Sequence, residues 1–387
     1  MPIREATAAD LPITMGDLGY ALVGIELDNT CNMACTFCPL PIREAAEASM
    51  DLKDVRSILD QVALDPTVDL VTFHQFNEPL LYPHLWDCIE MARERGLRTL
   101  LVTNGATFTK RNVEKMLAHP PTMLRISAQC IKEENHTQTR GYKGRFETYI
   151  NSLAKTMATL VDEDHGIEKI QCDLAIQQKI MNWKRKVSVT LGMSDHGDPT
   201  IFDETPETLK DALADFVRLI ESYSKSVTYD ESHHLENLKA FHQNDDGAFD
   251  LAYRLSDRIC IAYKQFINGR RIRDYYPVEY GQCGNSNLGI LANGDVTMCC
   301  YDYEGFTALG NVKREKLHDI LVRGRSIVEN IRRGGRLHCE GCKKCLGSPT
   351  RHGAAIRTAR NFIRYGGDNT SRPLPETRPF RTLRQEE

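Results

Sequence analysis

At 387 residues the chain is too long for one ordinary domain and suggests two, with room for an insertion. Its formal net charge of -4 gives no electrostatic case for general binding of nucleic acid or a membrane surface. No apolar run is long enough to span a bilayer, and none at Met1 reads as a signal. Thirteen cysteines without a secretion signal argue against a disulfide framework and for metal ligands in a reducing cytoplasm.

Residues 1–21 are polar and interrupted by proline, a lead-in shorter than a separate peptide-recognition domain. Leu22-Val-Gly-Ile-Glu-Leu reads as a buried strand, and the loop after it carries Cys31-Asn-Met-Ala-Cys35-Thr-Phe-Cys38. From there to residue 191 short apolar runs alternate with helical patterns, which predicts βα units and a parallel sheet. Leu52, Val55, Ile58, Leu59 and Val62 mark one helical face, and a second helix over 83–95 stops at Gly96. Further strands are expected at 70–73, 98–103, 123–127 and 167–176, and Val187-Ser-Val-Thr-Leu is expected to close a series of six. Residues 192–282 are first acidic and then amphipathic, with Leu209, Leu213, Phe216, Val217 and Ile220 on one face. This segment reads as a helical connection that caps a pocket. Its His233-His234 pair lacks a spaced partner and reads as solvent-exposed.

Thiolates at offsets of four and three residues can converge on one iron–sulfur cluster. Three protein ligands leave a position open for something else, as on a catalytic zinc. A structural zinc and a redox Cys-x-x-Cys pair are the bland alternatives. The spacing C-x3-C-x2-C after a first strand resembles the radical S-adenosylmethionine (radical SAM) family. The resemblance implies a partial (β/α)6 TIM-like barrel core over 22–191. It further implies a 4Fe-4S cluster on Cys31, Cys35 and Cys38 that chelates SAM. Reductive cleavage of SAM then yields a 5′-deoxyadenosyl radical that abstracts hydrogen from a substrate. The family also implies an external electron donor such as flavodoxin or ferredoxin.

Other stretches match by position. Phe76-Asn77-Glu78-Pro79 stands where the family has a Gly-Gly-Glu stretch, so the resemblance assigns Glu78 to the SAM amino group; Asn77 departs from the usual glycine. A carboxylate suits an ammonium. Thr103-Asn104-Gly105 ends the third strand as such a triplet often does in the family, although a plain Asn-Gly turn explains it equally. Ser127 and Arg140-Gly141 resemble the pattern that holds SAM's carboxylate or ribose. Gln177-Gln178 is a weaker candidate for the pocket.

A second cysteine region begins at Cys283. Leu288-Gly-Ile-Leu and Val296-Thr-Met-Cys flank Asn293-Gly294 as a hairpin, and a helix is expected over 317–331. The spacing Cys283-x10-Gly294-x4-Cys299, with Asp302, Gly310-Asn311 and Cys339-x2-Cys342-x2-Cys345, resembles SPASM and Twitch domains over 283–350. Six cysteines are too few for two fully ligated cubanes, so one auxiliary 4Fe-4S cluster on Cys283, Cys299, Cys342 and Cys345 is preferred. Cys339 stands as the alternative to Cys345, and two incompletely ligated clusters as a further option. Cys88, Cys130, Cys172 and Cys260 read as ordinary buried thiols. Residues 351–387 read as a basic, partly disordered tail.

The resemblance implies two outcomes: net oxidation through the auxiliary cluster, or epimerisation by a thiol that returns hydrogen. Cys300 is the candidate donor, since strand alternation points it away from Cys299. The absence of space for a leader-binding domain before Leu22 favours a small-molecule substrate such as a sugar, aminocyclitol or nucleoside. A maturase acting on a ribosomally made peptide is the alternative, and a non-catalytic cluster scaffold or sensor the third.

Overall fold

The structure is a computed structural model that describes residues 13–176, 187, 190, 191, 206–232, 252–265 and 269–375. In chain order its main elements are β1 Leu22–Ile25, α1 Leu52–Ala63, β2 Leu70–Thr72, α2 Leu85–Glu94, β3 Arg98–Thr103, α3 Lys110–Ala118, β4 Met123–Gln129, α4 Glu133–Arg140, α5 Phe146–Asp162, β5 Lys169–Ile176 and α6 Pro206–Glu221. There follow β6 Ala252–Arg254, β7 Ile259–Gln265, the single turn α7 Arg271–Asp274, β8 Tyr280–Gly281, β9 Asn287–Ile290, β10 Asp295–Thr297 and β11 Ala308–Asn311. The chain then forms α8 Leu317–Arg333, β12 Gly335–Arg336, α9 Glu340–Cys345 and α10 Arg351–Tyr365.

Ten strands form one sheet in the order β11-β10-β9-β1-β2-β3-β4-β5-β7-β6. The neighbours from β1 through β5 to β7 all run parallel, which is the partial (β/α)6 arrangement expected. Among the described residues no pairing closes it into a barrel. All four residues of β1 are buried, as expected of a parallel strand covered on both faces. Val55, Ile58, Leu59 and Val62 of α1 turn inward as their spacing predicts, each side chain stabilising the fold by about 1.5–3 kcal/mol on burial. Leu213, Phe216, Val217 and Ile220 of α6 are likewise buried where it packs against α5.

Three expectations are corrected. The sixth parallel strand is β7, paired with β5 from Ile170↔Ile259 to Ile176↔Gln265. Val187 and Thr190 are helical and Leu191 lies in a turn, so alternating Val-Ser-Val-Thr-Leu is not a strand at its described positions. The stretch 192–282 therefore supplies sheet as well as helix. The basic segment after 351 folds as α10, capped by Thr350 and anchored by a hydrogen bond from Asn361 Nδ2 to the Tyr280 carbonyl (2.7 Å). His233-His234 and Gln177-Gln178 lie outside the described residues.

The second cysteine region is not a detached module. β9 extends the core sheet by pairing in parallel with β1, from Leu22↔Asn287 to Ile25↔Ile290. Gly24 faces Gly289 in that register, and a Cβ on Gly289 would stand 2.3 Å from Thr297 Oγ1 and 3.1 Å from the Gln75 amide. Gly289 leaves room for Gln75 to bridge the two strands, its Nε2 donating to the carbonyls of Gly24 (3.3 Å) and Ile290 (3.1 Å). The N-terminus of α8 is tied to α1 by Leu317 N–H donating to Gln61 Oε1 at 2.7 Å.

Candidate cluster and cofactor sites

The carboxyl ends of the parallel strands point at one cavity of about 240 Å³, the usual place for chemistry in such sheets. Cys31, Cys35 and Cys38 line it, with Glu78, Asn104, Ser127 and Arg140 on the other walls. All seven expected proximal residues are thus brought together.

The cysteine loop has no regular structure of its own and borrows it from α4. The last carbonyls of that helix, which lack intrahelical partners, accept hydrogen bonds from the loop: Thr36 N–H to Thr139 (2.9 Å) and Ala34 N–H to Arg140 (3.2 Å). This approach is possible because residue 141 is glycine at φ +56°; a Cβ there would lie 2.6 Å from the Ala34 carbonyl oxygen. From the other side Gly269 N–H donates to the Phe37 carbonyl (3.1 Å) and Arg270 Nε to that of Cys38 (3.0 Å). A buried pair of Arg43 and Glu26 (2.7 Å) fastens the chain beyond the cysteines to β1.

Glu78 is buried and accepts from Thr103 Oγ1 (2.6 Å), the Asn104 N–H (2.7 Å) and the Leu80 N–H (3.2 Å). Burial still pushes its carboxyl up to about 7. Asn104 is more than a turn residue, because its Nδ2 donates to Asn32 Oδ1 (2.8 Å) and to Cys31 Sγ (3.6 Å). Arg140 Nη2 donates to the Ser127 carbonyl at 2.9 Å. Burial raises the Cys31 thiol to about 11 and that of Cys38 to about 12, so ligation must displace firmly held protons.

The cavity residues that carried no signal in the motifs include Gln75, Gln129 and Tyr301. Gln75 lies three residues before Glu78 in the same loop, which could have flagged it. Gln129 holds φ +63° at an irregularity in the β4–β5 register and donates from Nε2 to Ser127 Oγ (2.5 Å). A non-glycine residue in this region is uncommon and often functional.

A second cavity, of about 40 Å³, is bounded by Cys283, Cys299, Cys342 and Cys345. Apolar Ile272, Met298, Val328, Ile331 and Leu346 complete much of its wall. Asp302 shapes the approach by accepting from the N–H groups of Gly305, Phe306 and Thr307. Cys339 is not in the lining; its Sγ donates to the Phe306 carbonyl at 3.2 Å. Its hydrogen bond with Cys342 lowers the Cys339 thiol and raises that of Cys342. Cys300 lines neither cavity. β10 ends at Thr297, so residues 298–300 form a bend and turn to which strand alternation does not apply. Asn287 Nδ2 (3.5 Å) and Asn285 Nδ2 (3.7 Å) donate to the Cys300 Sγ. Cys88, Cys130, Cys172 and Cys260 are buried, as expected.

Three thiols line one cavity and four line a smaller, more apolar one, numbers that suit two clusters, the first with room for a further ligand. Arg140 Nε and Gln75 Oε1 are buried without a partner in residues that form the first cavity's wall, so the residues present fit a polar cofactor there. Among the described residues no three Cys, His, Asp or Glu side chains could hold a single metal ion.

The comparisons with known proteins agree. The Radical SAM superfamily model matches residues 25–158, and that of the iron-sulfur cluster-binding SPASM domain matches 282–346. The chain belongs to the radical SAM superfamily and carries a SPASM domain; its cofactors are a 4Fe-4S cluster with SAM and an auxiliary iron–sulfur cluster. An AdoMet-dependent heme synthase of Methanosarcina barkeri is 29% identical over 127 residues, 33% of this chain and 36% of that protein. The S-adenosyl-L-methionine-dependent 2-deoxy-scyllo-inosamine dehydrogenase of Niallia circulans is 25% identical over 35% of this chain and 51% of that protein. A PqqA peptide cyclase of Xanthomonas campestris is 29% identical over 35% of this chain and 34% of that protein. These alignments thus span from about a third to half of each relative's length. Among solved structures, Streptococcus suis SuiB bound to S-adenosylmethionine gives a TM-score of 0.47 at 15% identity, covering 80% of this chain and 68% of that one. Among the described residues no helix is long and apolar enough to cross a membrane.

Proposed function

We propose that this protein is an oxidoreductase that cleaves SAM reductively and abstracts hydrogen from a small hydroxylated or amino-substituted molecule, giving net oxidation. When bound, cluster and SAM together supply a one-electron reduction of the sulfonium and hence a hydrogen-abstracting group. Glu78 would hold the SAM ammonium and Arg140 its carboxylate, each buried where water competes poorly. Asn104, hydrogen-bonded to both Asn32 and Cys31, would orient the cysteine loop toward them.

The observation that carries the substrate class is the cavity lining. Beyond Glu78, Arg140 and the cysteines its polar side chains are His74, Tyr301 and the neutral amides and hydroxyls of Gln75, Asn77, Thr103, Asn104, Ser127 and Gln129, so neutral groups predominate. Such groups suit hydroxyls and amines rather than a second ionic group. The Niallia circulans dehydrogenase, whose name gives an aminocyclitol, is in keeping with this. Oxidation is preferred to epimerisation because the Cys300 thiol is engaged by Asn285 and Asn287 outside the cavity lining. A peptide substrate is the second reading, motivated by the similarity to a PqqA peptide cyclase.

The test is anaerobic reconstitution, reduction with SAM, and incubation with aminocyclitols and sugars. Substrate-dependent 5′-deoxyadenosine with a ketone product and no solvent deuterium in it is expected. Deuterium uptake at an inverted carbon would establish epimerisation instead, and turnover only with a peptide would overturn the small-molecule assignment.

A further inference from the structure

The chain as a whole is slightly acidic, yet between Glu340 and Asp368 it carries Lys343, Lys344, Arg351, Arg357, Arg360 and Arg364 and no Asp or Glu. Four of these six cations lie on α10. The helix is fixed against the auxiliary site: Arg357 Nη1 donates to the carbonyls of Leu346 (3.1 Å) and Gly347 (2.8 Å), the two residues after Cys345. Its inner side is anchored through buried Ala354 and Asn361. Its outer side exposes Arg351, Arg360 and Arg364, together with Phe362 at 55% and Ile363 at 87%. Beside it an open groove of about 700 Å³ runs between α10 and residues 276–280, with Tyr276, Tyr280 and Phe362 in its walls. The carboxylate in that groove, Glu279, is paired with Lys343 at 3.2 Å.

We infer that this face of α10 is the docking surface for an acidic one-electron carrier protein. A cationic helix with a small aromatic and aliphatic contact area suits a transient redox encounter, which buries little surface and relies on steering by charge. Location decides the kind of partner. Leu346, whose carbonyl accepts from Arg357 of α10, itself lines the auxiliary cavity, so a carrier seated here would lie close to that cluster. One electron would pass from the reduced carrier, which is oxidised by one, to the auxiliary cluster and from there to the cluster on Cys31, Cys35 and Cys38, where the reductive cleavage of SAM consumes it. The inference rests on the reading that the protein draws electrons from outside.

The test uses the full-length reconstituted protein with arginines 351, 360 and 364 changed together to glutamate, and a second variant with the same three changed to lysine. 5′-Deoxyadenosine formation is driven either by a reduced acidic flavodoxin or by dithionite. With flavodoxin at low salt, the glutamate variant should show a KM for the carrier raised about tenfold, an effect that fades at high salt, while the lysine variant stays near the parent. Both variants should match the parent with dithionite. An unchanged flavodoxin KM in the glutamate variant overturns the inference, as does an equal loss with dithionite, which would assign the arginines to the fold. Binding of the parent to anionic vesicles through these arginines, with no effect on the carrier, would overturn it in favour of a membrane. Failure of the parent to form 5′-deoxyadenosine with dithionite would instead sink the functional reading beneath it.

Discussion

The two cysteine sites are built on opposite plans. The proximal one takes its three ligands from a single loop of eight residues, and other parts of the fold hold that loop by its backbone: the carbonyls of α4 on one side, Gly269 and Arg270 on the other. The distal one gathers its four thiols from three separate stretches, at Cys283, Cys299 and α9, around a space about one sixth as large. Both cavities are bordered by a carboxyl and a guanidinium, Glu78 and Arg140 in the first and Asp302 and Arg332 in the second, but the proximal wall presents more polar surface and the distal wall is almost wholly apolar. A site that must admit and release a cofactor needs an open coordination position and groups to recognise what enters. A site that only stores or passes an electron needs full ligation and exclusion of water. The contrast in donor number, volume and polarity therefore tracks a contrast in task.

The largest break should come from replacing Cys31, Cys35 and Cys38 by alanine. SAM cleavage should vanish while about four of about eight irons per chain survive, as measured by iron and sulfide analysis and 5′-deoxyadenosine assay. Retained cleavage would end the assignment of the open site. With dithionite as the reductant, replacing Cys283 by alanine should do the reverse, losing the auxiliary iron and sparing abortive SAM cleavage. A Cys339→Ser variant should keep that iron, since Cys339 stands outside the cavity; its loss would exchange Cys339 for Cys345 in the ligand set.

A subtler break probes how the proximal loop is held. Gly141→Ala places a Cβ 2.6 Å from the Ala34 carbonyl and forces a side chain into φ +56°. The strain costs about 1–3 kcal/mol and falls on the junction between α4 and the cysteine loop. Reconstituted Gly141→Ala protein should therefore lose proximal iron selectively, with the auxiliary cluster's spectrum retained. Equal loss of both would mean that the substitution disturbs the whole fold.

Most of this plan was legible where chemistry or periodicity is local. The α1 stripe and the Asn293-Gly294 hairpin each lie within about a dozen residues and match the structure, and the three closely spaced cysteines line one cavity. What escaped depends on tertiary partners. Val187-Ser-Val-Thr-Leu has better alternation than a strand needs, yet β7, following the polar Ser256-Asp257-Arg258, is the segment that pairs with β5. Pairing is decided by the neighbour strand and not by propensity alone. α10 falls in a stretch that reads as partly disordered because arginine and proline are frequent from Thr358 onward; its fixed position comes from Asn361 and Arg357 reaching backbone carbonyls elsewhere. Gln75 earns its place through Gly289 on a strand distant in sequence, and Gln129 through a backbone angle that no residue pattern announces.

The finest discrimination between the sites is a titration. Burial pushes the Glu78 carboxyl up to about 7, against the hydrogen bonds from Asn104, Thr103 and Leu80 that favour its charge. Above that value it is an anion and attracts an ammonium; below it the carboxyl is neutral and the attraction is lost. The dissociation constant for SAM, measured by equilibrium binding to the reconstituted protein, should thus be lower above about pH 7.5 than below it. It should rise toward about tenfold per unit below pH 7. Glu78→Gln should bind more weakly at high pH and lose this dependence, because the amide does not titrate. The carboxyl bordering the auxiliary cavity, Asp302, is engaged by the N–H groups of Gly305, Phe306 and Thr307 and is not part of the SAM cavity, so a Cys283→Ala protein should keep the parent's pH profile. A profile that moves with Cys283 and ignores Glu78 would show that the two sites do not divide the work as their walls suggest.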